Sequence, residues 1–518
     1  MCIHQNMAHV LPLFIKSNKL GIVIRQSFKS IVVQYVGVVL GYINIVWLFP
    51  KCLPLDQIGL IRFILEMGLF LAYFAQIGVP NAVNKFYPYF RNKEKNDQGF
   101  QFFIFVTPLI GIVFFSLIFV LLRPLFVSSF QDNSPLVLHY YWYFIPFTII
   151  YVYQNITEQY CTSQLRIVVP KLIRDVYLRF GMSVLLVLNY LHYFDFEQLM
   201  VAITLLYFSG LVINLVYIHR LWGLNLKPDF SVLKNVKIKK EILYFLGFII
   251  IAGIGSTLVN KIDSYMISSL INLSSFTVYS TALFIATVIE MPYRAVSQIS
   301  TPIVAEALKQ QDMDKVGSIY RKSAINQTLV GLAIFLLIWI NTDSIFAMMP
   351  NGDAFKAGKY VILFIGLSKI FDLLTGVNSA ILANSKFYYF GLYFMFVLAT
   401  IAITANYLLI PHLGIVGVGI ATALSILIYN SMLTFFVQYK MKIHPFTLQT
   451  LCLLMIGAGL FVLNIFIPII SNIYLDIVLR STIIMGLYLL LIYRLQISEE
   501  MNNTLRVVLD RIKTRRIR

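Results

Sequence analysis

Ionisable residues inside otherwise apolar segments are the positions at which this sequence could do chemistry. The stretch LVNKIDSYMISS at 258–269 ends a run that begins ILYFLGFIIIAGIG, yet it contains Lys261 and Asp263 two positions apart. An ionised side chain at mid-membrane costs at least about 2.5–3.5 kcal/mol, so such residues usually face a partner or a wet cavity. We therefore expect these charges to mark a polar path through the protein.

The same segment has a line of polar residues. They recur every four positions and so share one slowly drifting helix face; they are Ser256, Asn260, Ser264 and Ser268. At about 100° per residue, Lys261 and Asp263 border this line from opposite edges. They are too far apart around the helix to pair directly, so each should meet water or a neighbouring helix.

Two further segments have paired charges. Lys369 and Asp372 are three residues apart and share a helix face, so they can form an ion pair or line a cavity. Glu290 and Arg294 are four apart in the favourable order, and Gln298 continues their face. In the first half of the chain Arg62 and Glu66 repeat the spacing of four, with Arg62 near the outer end of its segment, where it can reach the interface.

The composition indicates the environment in which these charges lie. The chain has 518 residues, of which 59% are hydrophobic and 12% charged, against about 45–50% and about 25% in soluble domains. This identifies an integral membrane protein. The net charge of +18 is spread over many short loops rather than one face, which argues against nucleic acid as a partner.

Several other classes of site are not indicated. The four cysteines have no paired spacing that suggests disulfides or a metal site. No P-loop, metal-ligand spacing or nucleophile elbow is present, so we expect no catalytic residues, no metal and no cofactor. The N-terminus has no cleavage site of the signal-peptide type, so the first membrane helix should direct insertion.

Hydropathy predicts an all-α polytopic fold. A span needs about 20 apolar residues to cross the hydrocarbon core. Fourteen segments meet that requirement: 30–49, 57–80, 100–121, 138–160, 172–191, 198–219, 242–271, 276–300, 323–345, 360–384, 387–410, 414–438, 447–470 and 475–493.

The distribution of Lys and Arg orients these spans. The connections on the side of the termini hold 30 basic residues and the opposite connections hold four. Basic residues concentrate in cytoplasmic loops. Both termini are therefore predicted to be cytoplasmic.

The chain also shows an internal repeat. The longest basic connection lies near the midpoint, and LPLDQIGLIRF at 53–63 aligns with NLSSFTVYSTA at 272–282, each a short outer turn before a new helix. Parallel repeats of this kind are a common transporter plan. We expect two six-helix bundles related by a pseudo-two-fold axis: bundle 1–220, basic linker 221–241, bundle 242–440, two added helices 441–494 and a basic tail 495–518.

The turn KCLPLDQIGLIRF at 51–63 resembles the turn between the first two helices of polysaccharide exporters. Lys51, Leu53, Asp56 and Gly59 match its pattern, while Pro54, Leu55 and Ile58 depart from it. Those exporters belong to the multidrug, oligosaccharidyl-lipid and polysaccharide (MOP) superfamily, which includes O-antigen flippases and the lipid II flippase. The span number, the repeat and the aspartate in the seventh span extend the resemblance over the whole chain.

The resemblance implies a flippase of the bacterial cytoplasmic membrane. It would move an undecaprenyl-pyrophosphate-linked oligosaccharide to the periplasmic leaflet by alternating access, coupled to a proton or sodium gradient. Expected partners are this lipid-linked cargo, membrane lipid, and a polysaccharide polymerase with its chain-length regulator.

For such a cargo the intramembrane residues take three roles. Cations would hold the anionic headgroup, carboxylates would couple to an ion or form ion pairs, and neutral polar groups would line the path. The three groups are Lys369, Arg294, Arg62 and Lys261; Asp372, Glu290, Asp263 and Glu66; and Asn260, Ser256, Ser264 and Gln298. A further set near the cytoplasmic face could meet a pyrophosphate but is interpreted as interfacial anchors: Asn155, Glu158, Arg174, Asp175 and Arg179. Arg480 is interpreted as part of the interfacial belt.

Two other functions remain open. A multidrug and toxin extruder of the same superfamily would share the two-bundle architecture, but typically has twelve spans and prefers cationic drugs. An O-antigen polymerase or ligase would need large periplasmic loops, whereas the longest outer connections here are 122–137 and 346–359.

Overall fold

The regular structure of this chain is helical. The computed structural model describes residues 18–90, 97, 99–224, 226–229, 236–468, 470–498 and 501–502, and no strand occurs in these ranges. Lipid offers no hydrogen-bond partners to the backbone, and a helix satisfies its backbone groups internally. The expected all-α fold class is confirmed.

The chain divides into two compact units, residues up to Lys261 and residues from Ile262. The boundary lies inside one long helix rather than in the basic connection 221–241. The bounds of the five segments expected from the sequence stay predictions.

In its described residues the first unit contains eleven helices and most of a twelfth. They are α1 Asn18–Tyr42, α2 Phe49–Cys52, α3 Leu55–Ala75, α4 Val79–Phe90, α5 Phe100–Leu121, α6 Arg123–Phe130, α7 Pro135–His139, α8 Phe144–Ser163, α9 Val168–Leu172, α10 Leu178–Tyr190, α11 Phe196–Trp222 and α12 Val236–Leu270. A π-helical segment, Ile43–Leu48, joins α1 to α2, and a second one, Ile173–Tyr177, joins α9 to α10.

The second unit begins with the last nine residues of α12. It continues with α13 Leu273–Thr287, α14 Met291–Lys309, α15 Met313–Ile340, α16 Thr342–Met348, α17 Gly352–Phe355, α18 Lys359–Leu374, α19 Asn378–Asn384, α20 Phe390–Met441, α21 Leu448–Leu463 and α22 Ile473–Arg494. A 3₁₀ turn, Val288–Glu290, joins α13 to α14.

Nine helices in the described ranges are long and apolar enough to cross a membrane, and a bent pair, Gly352–Leu374 with Asn378–Asn384, raises the number to ten. Each of the fourteen expected segments overlaps a helix. Two of them, 387–410 and 414–438, overlap the 52-residue α20, which is interrupted at Gly414, where φ is 56°. The chain is a multi-pass membrane protein, and the number fourteen stays a prediction.

The two aligned turns of the internal repeat have similar local structure. In the first, Leu53 and Pro54 are extended between α2 and α3. In the second, Asn272 is extended and its side chain accepts a hydrogen bond of 2.7 Å from the backbone N–H of Ser275, which caps α13. An extended residue therefore starts a new helix at matching positions of both halves.

The core of the first unit is rich in aromatic side chains, and one glycine sets a close helix contact. Tyr87, Phe100 and Tyr160 are fully buried, and the ring of Tyr87 contacts both of the others. A Cβ added at Gly111 on α5 would lie 2.1 Å from the carbonyl oxygen of Ala75 at the end of α3. The glycine therefore allows the two backbones to approach.

Gly111→Ala should destabilise the protein by about 1–3 kcal/mol, because a backbone oxygen cannot move aside as a flexible side chain can. The measurement is thermal unfolding of the purified protein in detergent. Gly459→Ala on α21 is the control, since nothing lies within 4 Å of its Cβ position. Equal melting temperatures for the two variants would contradict the packing described here.

Candidate functional site

A cluster of four charges lies in the second unit, around the 3₁₀ turn between α13 and α14. Lys369 Nζ on α18 lies 2.7 Å from Glu290 Oε2 and 3.9 Å from Asp372 Oδ2. Arg294 Nε lies 3.4 Å from Glu290 Oε1. The two helix pairs expected from spacing are therefore both formed, and Glu290 joins them into one network.

The four charges differ in exposure. The side chain of Lys369 is 16% exposed and that of Glu290 is 22% exposed, whereas the Arg294 side chain is 62% exposed. A buried cation between two carboxylates is largely neutralised in place. Arg294 has the longer bond to Glu290, and its remaining donors are accessible.

A polar network supports the carboxylate of Asp372. The Asn430 side-chain amide on α20 donates to Asp372 Oδ1. The Asn430 oxygen in turn accepts bonds from Thr375 Oγ1 at 3.2 Å and Asn378 Nδ2 at 3.1 Å. Asp372 is thereby held by the neutral amide of Asn430 on one side and by Lys369 on the other.

Asp263 forms a second site in the same unit, with neutral partners. Its Oδ2 accepts hydrogen bonds of 2.8 Å from the Tyr279 hydroxyl and 2.8 Å from Thr422 Oγ1. Its Oδ1 accepts one of 2.7 Å from Asn406 Nδ2. Asn406 is 0% exposed, and its own Oδ1 has no hydrogen-bond partner among the described residues.

The break in α20 brings two of these partners together. Asn406 and Thr422 lie on either side of Gly414, whose positive φ a glycine adopts without strain. A Cβ added at Gly417 would lie 2.5 Å from the carbonyl oxygen of Leu409. The two arms of α20 therefore approach closely enough to place an amide and a hydroxyl on one carboxylate.

In the first unit, Lys261 and Glu66 form an ion pair. Lys261 Nζ on α12 lies 3.2 Å from Glu66 Oε2 on α3, and the side chains are 24% and 27% exposed. Arg62, one turn earlier on α3, also interacts electrostatically with Glu66. Lys261 and Asp263 thus have separate partners, as the sequence predicted.

The residues expected to line the polar path differ in their exposure. Ser264 and Ser268 are buried at 5% and 0% exposure, while Gln298 is exposed. The side chains of Ser256 and Asn260 lie outside the described residues. Their assignment to a transport path stays a prediction.

The sequence interpretation was wrong for Arg480. Its side chain is only 8% exposed, and Nε lies 2.9 Å from Asp476 Oδ1 one turn earlier on α22. It also donates to the carbonyl oxygen of Ile467 at 3.2 Å. Arg480 therefore fixes the connection between α21 and α22 instead of lying in the interfacial belt.

The structure adds residues that sequence reasoning did not select. Each of them donates a hydrogen bond to the side chain of an intramembrane aspartate; they are Tyr279, Asn406, Thr422 and Asn430. Their polarity within apolar helices was visible in the sequence, but their distance from the aspartates along the chain concealed the contact. Among the described residues no group of three or more His, Cys, Asp or Glu side chains could hold a metal ion.

Comparison with known proteins gives the fold a family context. The MatE family model matches residues 249–408, and no curated protein matches the sequence. A solved structure of the lipid II flippase MurJ, in an inward closed conformation, superposes with a TM-score of 0.69 at 13% identity, covering 92% of this chain and 100% of that one.

A second solved structure is an inward-facing multidrug resistance MATE family transporter of the MOP superfamily. It matches with a TM-score of 0.59 at 17% identity, covering 79% of this chain and 94% of that one. Together these matches bear out the resemblance to the MOP superfamily, and the two structures establish the fold.

Lys369→Met should lower stability by about 3 kcal/mol, the low end of the cost of breaking a buried ion pair, because it leaves two partly buried carboxylates without their shared cation. The measurement is the thermal unfolding of purified protein. Lys359→Met is the matched control: Lys359 Nζ lies 2.6 Å from Asp343 Oδ2, whose side chain is 70% exposed, so its loss should cost at most about 1 kcal/mol.

Combining Lys369→Met with Glu290→Gln should cost less than the two single changes together, since the double variant no longer has the Glu290 charge that Lys369 neutralises. A loss for Lys369→Met no larger than that for Lys359→Met would show that the cluster is not a buried network.

Proposed function

We propose that this chain, whose fold is that of the MOP superfamily of transporters, is a flippase for undecaprenyl-pyrophosphate-linked oligosaccharide. It would carry this cargo from the inner to the outer leaflet of the bacterial cytoplasmic membrane by alternating access. The observation that carries the proposal is Arg294, an exposed guanidinium within a membrane-embedded charge cluster. Likeness in fold to a lipid II flippase supports it.

The geometry suggests how an anionic headgroup would be held. A guanidinium binds phosphate oxygens through two parallel N–H donors. Arg294 can exchange its 3.4 Å bond to Glu290 for a phosphate because Lys369, at 2.7 Å, keeps Glu290 neutralised. Lys369 then acts mainly through Glu290. The first unit has cations of its own around Glu66, namely Arg62 and Lys261, and these stay separate candidates for contact with an anionic headgroup.

Ion coupling is proposed at Asp263. Of the four intramembrane carboxylates selected from the sequence, Glu290, Asp372 and Glu66 each have a lysine partner. Around Asp263 the bonded groups in the described part of the chain are all neutral. An ionised carboxylate inside a membrane span needs a counter-charge. A sodium ion or a proton would supply it, and the surrounding oxygen atoms suit a hard cation.

The cellular context follows from the same proposal. Both termini would lie in the cytoplasm, and the exported oligosaccharide would pass to a polymerase and its chain-length regulator.

The other three carboxylates have a structural role in this proposal. Asp372, Glu290 and Glu66 would serve as ion-pair partners that keep the cationic groups in place.

A multidrug extruder is the second candidate, favoured by the MatE match and by the likeness to a multidrug resistance transporter. The two functions differ in cargo charge, because an extruder of cationic drugs would bind its substrates through carboxylates. Drug susceptibility and surface glycan of a deletion strain separate them: loss of glycan with unchanged susceptibility is expected of the flippase.

Arg294→Gln should reduce translocation of an undecaprenyl-pyrophosphate-linked oligosaccharide in proteoliposomes at least about tenfold, because a charged hydrogen bond to phosphate is lost. Arg294→Lys should retain part of the rate. Arg494→Gln, an exposed residue at the end of α22, is the control. Wild-type translocation by Arg294→Gln, at equal protein per vesicle, would refute the headgroup assignment.

Asp263→Asn should remove the response of translocation to an imposed sodium or proton gradient, because the neutral amide has no charge for the ion to balance. The assay compares initial rates with and without each gradient. Asp353→Asn is the control, since that side chain is 93% exposed. A gradient response that persists in Asp263→Asn would place the coupling site elsewhere.

A further inference from the structure

The first unit contains a cavity that none of these roles uses. Its volume is about 440 Å³, within the range of small-molecule sites. Helices α3, α8 and α11 and the segment from α9 to α10 enclose it. The lining includes Tyr151, Glu158, Arg174, Arg179, Tyr207 and Asn214. We call this space the amino-terminal cavity.

The residues interpreted from the sequence as interfacial anchors also line this cavity, and their anchoring role stays a prediction. The π-helical segment Ile173–Tyr177 carries Arg174 and Asp175 to the cavity wall. Such segments often occur at functional sites. A Cβ added at Gly37 on α1 would lie 2.6 Å from the carbonyl oxygen of Asp175, so α1 packs directly against this widened turn.

The charges of the amino-terminal cavity cancel. Arg174 Nη1 donates to both Glu158 oxygens, at 2.8 and 2.9 Å, and its Nε lies 3.1 Å from Asp175 Oδ1. Arg179 donates to the carbonyl oxygen of Gly37. With two arginines and two carboxylates in the lining, neither a phosphate nor an organic cation gains net attraction.

The wall also has an unused acceptor. Asn214 is 4% exposed, and its Oδ1 has no hydrogen-bond partner among the described residues. A buried acceptor without a partner is costly. Asn214 belongs to the cavity lining, so a turn of its amide towards the cavity would let a ligand with hydroxyl or amide donors satisfy it.

Two aromatic rings complete the cavity. Tyr151 and Tyr207 meet edge to face, with centroids 5.8 Å apart. Tyrosine rings present apolar faces together with a polar hydroxyl. Carbohydrates combine apolar C–H faces with hydroxyls that both donate and accept hydrogen bonds. The C–H faces match the two tyrosine rings, and the hydroxyls match the carboxylates paired with Arg174 and the amide of Asn214.

We propose that the amino-terminal cavity is a binding site for a neutral mono- or disaccharide. This rests on the proposed function in one respect: the glycan of the lipid-linked cargo is its natural source. Glu158 and Arg174 act as a paired acceptor and donor for vicinal hydroxyls, and Asn214 accepts a further hydroxyl.

The test uses the full chain in nanodiscs, with maltose and N,N′-diacetylchitobiose as probes and saturation-transfer NMR as the readout. Wild type should bind at least one of the two. Asn214→Leu should weaken that binding about tenfold, because it removes the acceptor. Its melting temperature should be unchanged or higher, because the replaced oxygen has no partner to lose. Thr204→Val, on the same helix but outside the cavity lining, should bind as wild type does.

Glu158→Gln gives a second measurement that is independent of folding effects at Asn214. The substitution leaves the cavity with a net positive charge, so disaccharide binding should fall. Inorganic pyrophosphate, which wild type should not bind at this site, should bind to the variant. Three results would overturn the proposal. They are absence of disaccharide binding by wild type, binding by Asn214→Leu equal to that of wild type, and displacement of the sugar from wild type by pyrophosphate or tetraphenylphosphonium.

Comparison with translocation separates the two proposals. Disaccharide binding that depends on Asn214, in a protein that translocates no lipid-linked oligosaccharide, would refute the flippase function and support the saccharide site as a site for free sugar. Competition between the soluble disaccharide and lipid-linked oligosaccharide would support the cargo's glycan as the ligand.

Discussion

An ionised side chain in an apolar span needs a partner, and this constraint organises the polar interior of the protein. In each unit, cations are paired with carboxylates on the same or a neighbouring helix. The pairs are Lys261 with Glu66, Lys369 with Glu290 and Asp372, Arg480 with Asp476, and Arg174 with Glu158. Asp263 differs, because the groups bonded to it within the described ranges are neutral.

This contrast separates structural charge from charge available for function. A closed ion pair stabilises helix packing only when both partners remain, and removing one partner leaves an uncompensated charge. Arg294 is only loosely held by Glu290 and is largely exposed, and Asp263 has hydrogen bonds but no counter-charge in the described structure. These two residues are therefore the ones that we propose as contacts for an anionic headgroup and for a coupling cation.

Much of this arrangement could be predicted from the sequence, because it is local. Hydropathy located the helices, and spacings of three and four residues predicted the pairs Lys369 with Asp372 and Glu290 with Arg294. Arg480 was misassigned because it was interpreted from its position near the end of a span alone. Its ion-pair partner Asp476, four residues earlier, was not considered. The family resemblance came from a few residues of one turn.

The contacts that could not be predicted join residues far apart in sequence. Lys261 and Glu66 are 195 positions apart, and Asn406 and Asp263 are 143 apart. Such contacts depend on how helices pack and on the break at Gly414, neither of which follows from periodicity. The amino-terminal cavity was missed for the same reason, because its charges, considered one at a time, are typical of interfacial anchors.

The central claim, that Asp263 requires a bound cation, is tested most directly by the melting temperature of the purified protein in rising sodium chloride. Choline chloride holds the ionic strength constant, and the series is repeated at acidic pH. The account predicts that sodium ions or protons raise the melting temperature of the wild type, as a ligand of the folded state does, and leave Asp263→Asn unaffected. A wild-type melting temperature that responds to neither cation would contradict it.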